Sequence, residues 1–226
     1  MFVPDMEPHV VRKNVDEIQQ RAAGHGRDPR SIKAVAGILV VVDETDELAR
    51  AKYEEYLPYA DLEGSLALFG GRPSGNLSKL DDDEDFRFTG PGAIQIVIES
   101  WSSTIPDSDG VKWIKSRVAK ELALGGPHAK AIGSPTNVAD ILERWVNEAD
   151  VDGFNLFYAI SPGAFVDLST YLFPELRRRG VFWNKYHVPG GSAGEKYLAD
   201  DKGRRLLRTI LVHSTNGRPS RVGNST

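Results

Sequence analysis

Residues 129–158, AKAIGSPTNVADILERWVNEADVDGFNLFY, decide the fold class. Ala129–Ile132 is a short apolar run of strand type, and Gly133-Ser134-Pro135-Thr136 is turn chemistry that also opens a helix. The spacing predicts that helix over Asn137–Ala149, because Val138, Ile141, Leu142, Trp145, Val146 and Ala149 recur at i, i+3, i+4, i+7, i+8 and i+11. Asp152-Gly153 then turns the chain into a second strand, Phe154–Ile160. Ser161-Pro162-Gly163 leads to a last helix around Phe165–Arg179, stopped by Gly180. Arg177–Arg179 at its end complement the helix dipole. A βαβα run at this spacing belongs to parallel α/β architecture.

Upstream, Ile32–Val42 (IKAVAGILVVV) is an almost unbroken β-branched run, the mark of a strand covered on both faces. Val11, Val15, Ile18 and Ala22 form one face of a helix that Pro8 can open and Gly24 or Gly26 can close. Asp43–Asp46 offers caps for a helix running to about Leu57, with Ala49, Tyr53 and Tyr56 inward, and a short helix follows at Leu62–Phe69. Gly70–Gly110 reads as an insertion. Val111–Leu124 reads as a helix with Val111, Ile114, Val118 and Leu122 on one side. These elements amount to about three and a half β/α units, too few to close an eight-stranded ring.

Composition narrows the function classes. The chain has 226 residues and a net charge of −4, so it lacks the basic excess that binds nucleic acid. It contains no cysteine, which removes disulfides, thiolate metal sites and a cysteine nucleophile. No run of about 18 apolar residues suggests a membrane span. The first twenty residues hold no apolar signal core, so a cytoplasmic location is expected.

Three blocks carry a family resemblance: GGPHAKAIGSP (Gly125–Pro135), VADILERWVNEADVDGFNLFY (Val138–Tyr158) and FPELRRRGVFWNKY (Phe173–Tyr186). Together with AAGHGRDPRSIKAVAGI (Ala22–Ile38), DLEGSLALFGG (Asp61–Gly71) and LDDDEDFRF (Leu80–Phe88), they resemble luciferase-like, flavin-dependent monooxygenases. The branch is that of nitrilotriacetate, pristinamycin and dibenzothiophene-sulfone monooxygenases. The resemblance covers about residues 1–190 and implies the C-terminal half of a TIM-type (β/α)8 barrel, from the end of strand 5 to helix 8, with an insertion near 70–110. It further implies reduced FMN and O2 acting on a small organic substrate, no metal, and a separate flavin reductase supplying FMNH2. The FMN-phosphate loop and first four strands of the family precede what Met1 onward resembles, so the expectation is a catalytically incomplete half-barrel. Such a chain would pair with the missing N-terminal half or form a homo-oligomer. Residues 191–226 are expected to be a largely disordered tail.

The resemblance also suggests sites, and each keeps a structural alternative. Gly133, Ser134 and Thr136 could face the cofactor's phosphate, or Ser134 or Thr136 could simply cap the helix. Asn155 and Tyr158, at the end of the last strand, could border flavin or substrate, or satisfy buried backbone groups. Phe154, Leu156 and Phe157 are expected in the core. His9, His25, His128, His187 and His213 show no metal or triad spacing, and His128 precedes its strand, at the wrong end for barrel chemistry. Asp81–Asp85 reads as a solvated charge run, since it lacks the glycine and terminal glutamate of a calcium loop. Trp101 and Trp113 either line a lid or pack beneath the insertion. No catalytic residue is assigned. The competing reading is a non-catalytic remnant or interaction module on the same scaffold; a barrel hydrolase lacks an acid/base constellation.

Overall fold

The computed structural model describes residues 1–3, 7–70, 81–89, 92–105, 108, 110–183 and 210–212. Its strands are β1 (Phe2–Val3), β2 (Val35–Val42), β3 (Ala129–Gly133), β4 (Gly153–Phe157) and β5 (Ile210–Val212), all parallel. The Val/Ile/Leu-rich β2 is the centre of the sheet, and all eight of its residues are buried. Val35 and Ala36 pair with both β1 and β4, so those two strands lie on opposite edges of β2. Ile38 and Leu39 pair with both β3 and β4, which puts β3 on the same edge as β1, further along the strand. The path β1-β2-β4-β5 is therefore a row of parallel neighbours, and β3 sits off that path against the C-terminal half of β2.

Side-chain parity divides the sheet. Ala36, Ile38, Val40 and Val42 of β2, Phe154 and Leu156 of β4, and Ala129 and Ala131 of β3 point into one core. Its other wall is helical: Val11 and Val15 of α1 (Pro8–Gly24), Val138, Leu142, Trp145 and Ala149 of α7 (Pro135–Ala149), and Leu168, Leu172 and Leu176. The odd-numbered residues of β2, with Asn155 and Phe157, face the opposite side. Phe157 thus departs from the expected core set: it is half-buried on that second face.

The helix expected over Phe165–Arg179 is in fact segmented into α8 (Gly163–Asp167), a π-turn (Leu168–Leu172) and α9 (Phe173–Arg178). Pro174 has no N–H to give the preceding turn, and the backbone widens ahead of it. Likewise α6 spans only Lys115–Ala123, so Val111 is exposed and Trp113, ahead of the helix, takes the buried place.

The insertion has its own core. Between α2 (Asp46–Tyr56) and α6 lie α3 (Leu62–Gly70), α4 (Phe86–Thr89) and α5 (Gly92–Thr104). Leu66, Phe86, Ile98, Trp101, Trp113, Val118 and Leu122 pack together separately from the sheet core. The two tryptophan rings stack at 5.4 Å, which selects packing over a substrate lid. Asp85 is no solvated charge. It accepts hydrogen bonds from Arg87 and from the Trp113 amide, and these hold its pKa below the ordinary carboxylate range. Residues 71–80 lie outside the described set, as do 184–209 and 213–226. Of the region expected to be tail, β5 is the described part, and it is a strand.

Two charged clusters tie the helices. Asp150 ends α7 in the left-handed conformation (φ 56), which Asp tolerates through its short polar side chain. Its buried carboxylate accepts from Arg30 at 3.2 Å and Gln19 at 3.4 Å, with Arg12 at 3.8 Å. Glu175 of α9 accepts from Arg178 and Arg179, each at 2.7 Å, and these bonds hold its carboxyl down at about 2. A carboxylate depressed in the fold stabilises it above the ordinary value near 4.5, and that contribution disappears as pH falls from there towards 2. Because Arg178 is largely exposed, Glu175→Gln is expected to cost about 1 kcal/mol at pH 7. Urea unfolding at both pH values checks this: the gap between wild type and variant should close by pH 2.

Candidate functional site

In parallel α/β sheets, functional groups gather at the C-terminal ends of strands. Here β2 ends at Val42 and β4 at Phe157. Between β2's end, Tyr56 of α2, Ala159 after β4, and Ala164 and Asp167 of α8 lies a small, mainly apolar cleft. Lys52 of α2 crosses beside it. Its ammonium lies 2.6 Å from Asp43 and 2.9 Å from Asp167, donates to the Val42 carbonyl at 3.4 Å, and stands 5.9 Å from the Tyr171 ring centre. Burial opposes the ammonium, but its bonds to Asp43 and Asp167 outweigh that and raise its pKa. Burial likewise opposes the Asp43 carboxylate, yet Lys52 and the Glu44 amide lower its pKa on balance. Burial pushes the Tyr56 hydroxyl up. Asp167 joins this cluster from 115 residues beyond Lys52, so spacing could not reveal the grouping. Only Asp43, at a strand-to-helix junction, stood out, and the side chain that caps α2 is Thr45.

Asn155 stands on the face away from the helix core, paired with Gly37. It is half-buried, and its amide makes no hydrogen bond to another described residue. Beside it the Phe157 ring lies over Gly37, where a Cβ would come within 2.8 Å of that ring. His128 meets the same ring from the other edge of β2, at 4.8 Å between centroids. As expected, His128 precedes β3, and the register puts it level with Gly37 in the N-terminal half of β2. Tyr158 does not join Asn155 on this face. Its ring packs on Phe165 of α8, at 4.9 Å.

The Gly133-Ser134-Pro135-Thr136 turn was the candidate phosphate cradle, and several donors at this helix start are already engaged within the protein. The Ser134 amide donates to Asp46 Oδ1 at 2.6 Å, and Pro135 has no N–H. The Asn137 amide donates to Ser134 Oγ at 3.4 Å, and its side chain reaches Asp46 Oδ1 at 3.3 Å. The Val138 amide already bonds the Ser134 carbonyl. An anion thus sits at this helix start, supplied by α2. The Ser134 amide, then Ser134 and Asn137, lower the Asp46 pKa. Gly133 is close to the same carboxylate: a Cβ there would lie 2.7 Å from Asp46 Oδ1. Asp46 thus already engages the Ser134 amide, one of the donors that a phosphate at this turn would use. Of the two readings of the turn, the geometry supports capping by Ser134. Asp46→Ala is expected to destabilise by about 1–3 kcal/mol by orphaning the Ser134 amide, and Ser134→Ala by about 1 kcal/mol as a lost cap. Chemical denaturation of both variants measures this.

Among the described residues no group of three or more His, Asp or Glu is placed to hold a metal ion, and no helix is long and apolar enough to cross a membrane.

A parallel sheet with helices packed on it, and a small cleft at the end of its central strand, defines a segment of a parallel α/β fold. The family is shown by sequence. The model of the luciferase-like monooxygenase family matches residues 1–152, and the chain belongs to that family. It is 38% identical over 204 residues to dimethyl-sulfide monooxygenase from Hyphomicrobium sulfonivorans, spanning 90% of this chain and 42% of that protein. The crystal structure of DmoA from the same organism superposes with a TM-score of 0.80 at 38% identity, covering 92% of this chain and 43% of that one. Long-chain alkane monooxygenase from Geobacillus thermodenitrificans (strain NG80-2) is 34% identical over 182 residues, 80% of this chain and 36% of the relative. Riboflavin lyase (RcaE), solved with modified FMN and substrate riboflavin, superposes with a TM-score of 0.64 at 26% identity, covering 93% of this chain and 43% of its own. The chain spans about two fifths of the length of the curated relatives it matches.

Proposed function

We propose that this chain is the closing segment of the (β/α)8 ring of a reduced-FMN-dependent monooxygenase that acts on a small organic substrate. The family match over residues 1–152 carries the reading. The row β1-β2-β4 supports it, because successive strands of such a ring are parallel neighbours joined by helices on the outer face. With β3 off that row, counting back from β4 as the eighth strand makes β2 the seventh and β1 the sixth. The expected start at the fifth strand counted Ala129–Gly133 as a ring strand. On this reading residues 1–190 form the ring segment, with 70–110 inserted.

Asn155 borders the pocket, because its half-buried amide faces the ring interior and can hydrogen-bond a cofactor or substrate. FMN, which riboflavin lyase holds in a modified form in its crystal structure, would activate O2 when reduced by a separate reductase. Ring enzymes assemble their sites from the ends of several strands, so the strands described here supply only part of one. Anaerobic titration with FMNH2 tests this. By itself the chain binds no flavin at micromolar concentration; mixed with the part of dimethyl-sulfide monooxygenase that precedes its matched segment, it does. Tight binding and turnover by the chain alone would overturn the incompleteness. Mixtures that bind no flavin would favour the non-catalytic module.

A further inference from the structure

Every strand has two edges, and those of β4 are both occupied. One pairs with β2, from Gly153↔Val35 to Phe157↔Leu39. The other pairs, also in parallel, with β5 at Phe154↔Ile210, Asn155↔Leu211 and Leu156↔Val212. In a closed (β/α)8 ring the second edge of the last strand belongs to the first strand. Resting on the ring reading above, we infer that β5 is a built-in cap: the outer edge of β4 is a docking surface for the ring's first strand, and the chain's own C-terminal segment holds that place.

The physical motive is the unpaired backbone. An open strand edge presents a row of N–H and C=O groups that templates pairing with any other chain. Here β4 is rich in apolar and aromatic residues (GFNLF), the kind of strand that aggregates when its edge is bare. Ile210-Leu211-Val212 has the composition of a buried parallel strand, so it can fill that edge. The cap is short. It makes three register pairs where β2 makes five with the same strand, so a full-length strand with its own helices has the advantage in competition. The edge is protected until the correct neighbour arrives.

The test uses the full chain, a chain ending at residue 205, and Leu211→Pro in the full chain, since proline disfavours a ladder strand. Backbone hydrogen exchange and sedimentation are read on all three. Both altered forms should lose at least tenfold protection at β4 amides while β2 amides keep theirs, and should self-associate with rising concentration. Both should also bind the preceding half of dimethyl-sulfide monooxygenase at least tenfold more tightly than the full chain does. β4 exchange within twofold of wild type in both forms, or simultaneous loss of protection in β2, would overturn the cap. If the altered forms deprotect β4 yet no form binds the half-ring, the cap stands and the ring reading fails. A second copy on the bared edge that the half-ring cannot displace would also count against the assigned partner.

Discussion

Trp113→Ala is expected to cost about 3–5 kcal/mol, the range for removing a large aromatic side chain from a packed core. Trp113 is fully buried, stacks on Trp101 at 5.4 Å and lies beneath the Arg117 guanidinium at 4.5 Å. Its backbone is also a junction. The amide donates to Asp85 Oδ1 at 3.3 Å, and the carbonyl accepts from the Phe86 amide at 3.0 Å. Since Leu66, Phe86, Ile98 and Leu122 pack around it in a cluster separate from the sheet core, the damage should be regional. Hydrogen exchange should accelerate in α3 and α6 while β2 and β4 keep their protection. Trp113→Phe keeps most of the stacked area and should recover more than half of the loss. Equal acceleration in β2 would show that the two cores unfold as one.

Gly37→Val carries the next largest effect. Gly37 lies in the most buried strand and is the gap over which Phe157 and His128 meet from opposite edges. A Cβ would come within 2.8 Å of the Phe157 ring, so even Gly37→Ala forces the ring to move and is expected to cost about 1–3 kcal/mol. The branched valine should cost more, and little folded protein should accumulate. The double variant Gly37→Ala/Phe157→Leu isolates the cause. If the ring contact is what matters, the shorter side chain should return at least half the loss, a coupling that equilibrium unfolding reads directly. Additive costs would mean that the glycine is needed for its backbone and not for the space above it.

Much of the fold was legible in the residues. α7 was readable because a 3.6-residue period and a Ser-Pro start agree, and its buried face differs from the expectation only at Ile141 and Ala139. β2 was readable because a β-branched run buried on both faces has almost no polar interruption. β3 was read as a strand and is one; its place in the sheet was hidden for a physical reason. A short apolar run declares strand, but nothing local says whether it takes a place in the row or lies beside a longer neighbour. Its partner, Ile38–Val42, is some ninety residues away. Val111 and Trp113 were exchanged because a periodic pattern was carried through residues that precede the helix.

The candidate site was less legible. Asn155 was a candidate from its position on a strand, and it faces away from the helix core. Lys52, Asp43 and Asp167 were not, since their grouping exists only once α2 and α8 approach over the end of β2. The phosphate-like turn carries the converse lesson. Gly-Ser-Pro-Thr at a helix start announces free amides, and the carboxylate that takes them comes from residue 46.

By itself the amino-acid sequence determined the parallel α/β class, the helices with strong apolar periods, the absence of thiol chemistry, and the family. Each of these rests on local pattern or on sustained likeness along the chain. Only the tertiary structure decided the strand order, the contact of His128 with Phe157, the carboxylate that engages the Gly133–Thr136 turn and the strand that covers the edge of β4. Those depend on which backbone edges and charges meet across long stretches of chain, and local patterning carries no record of partners that distant.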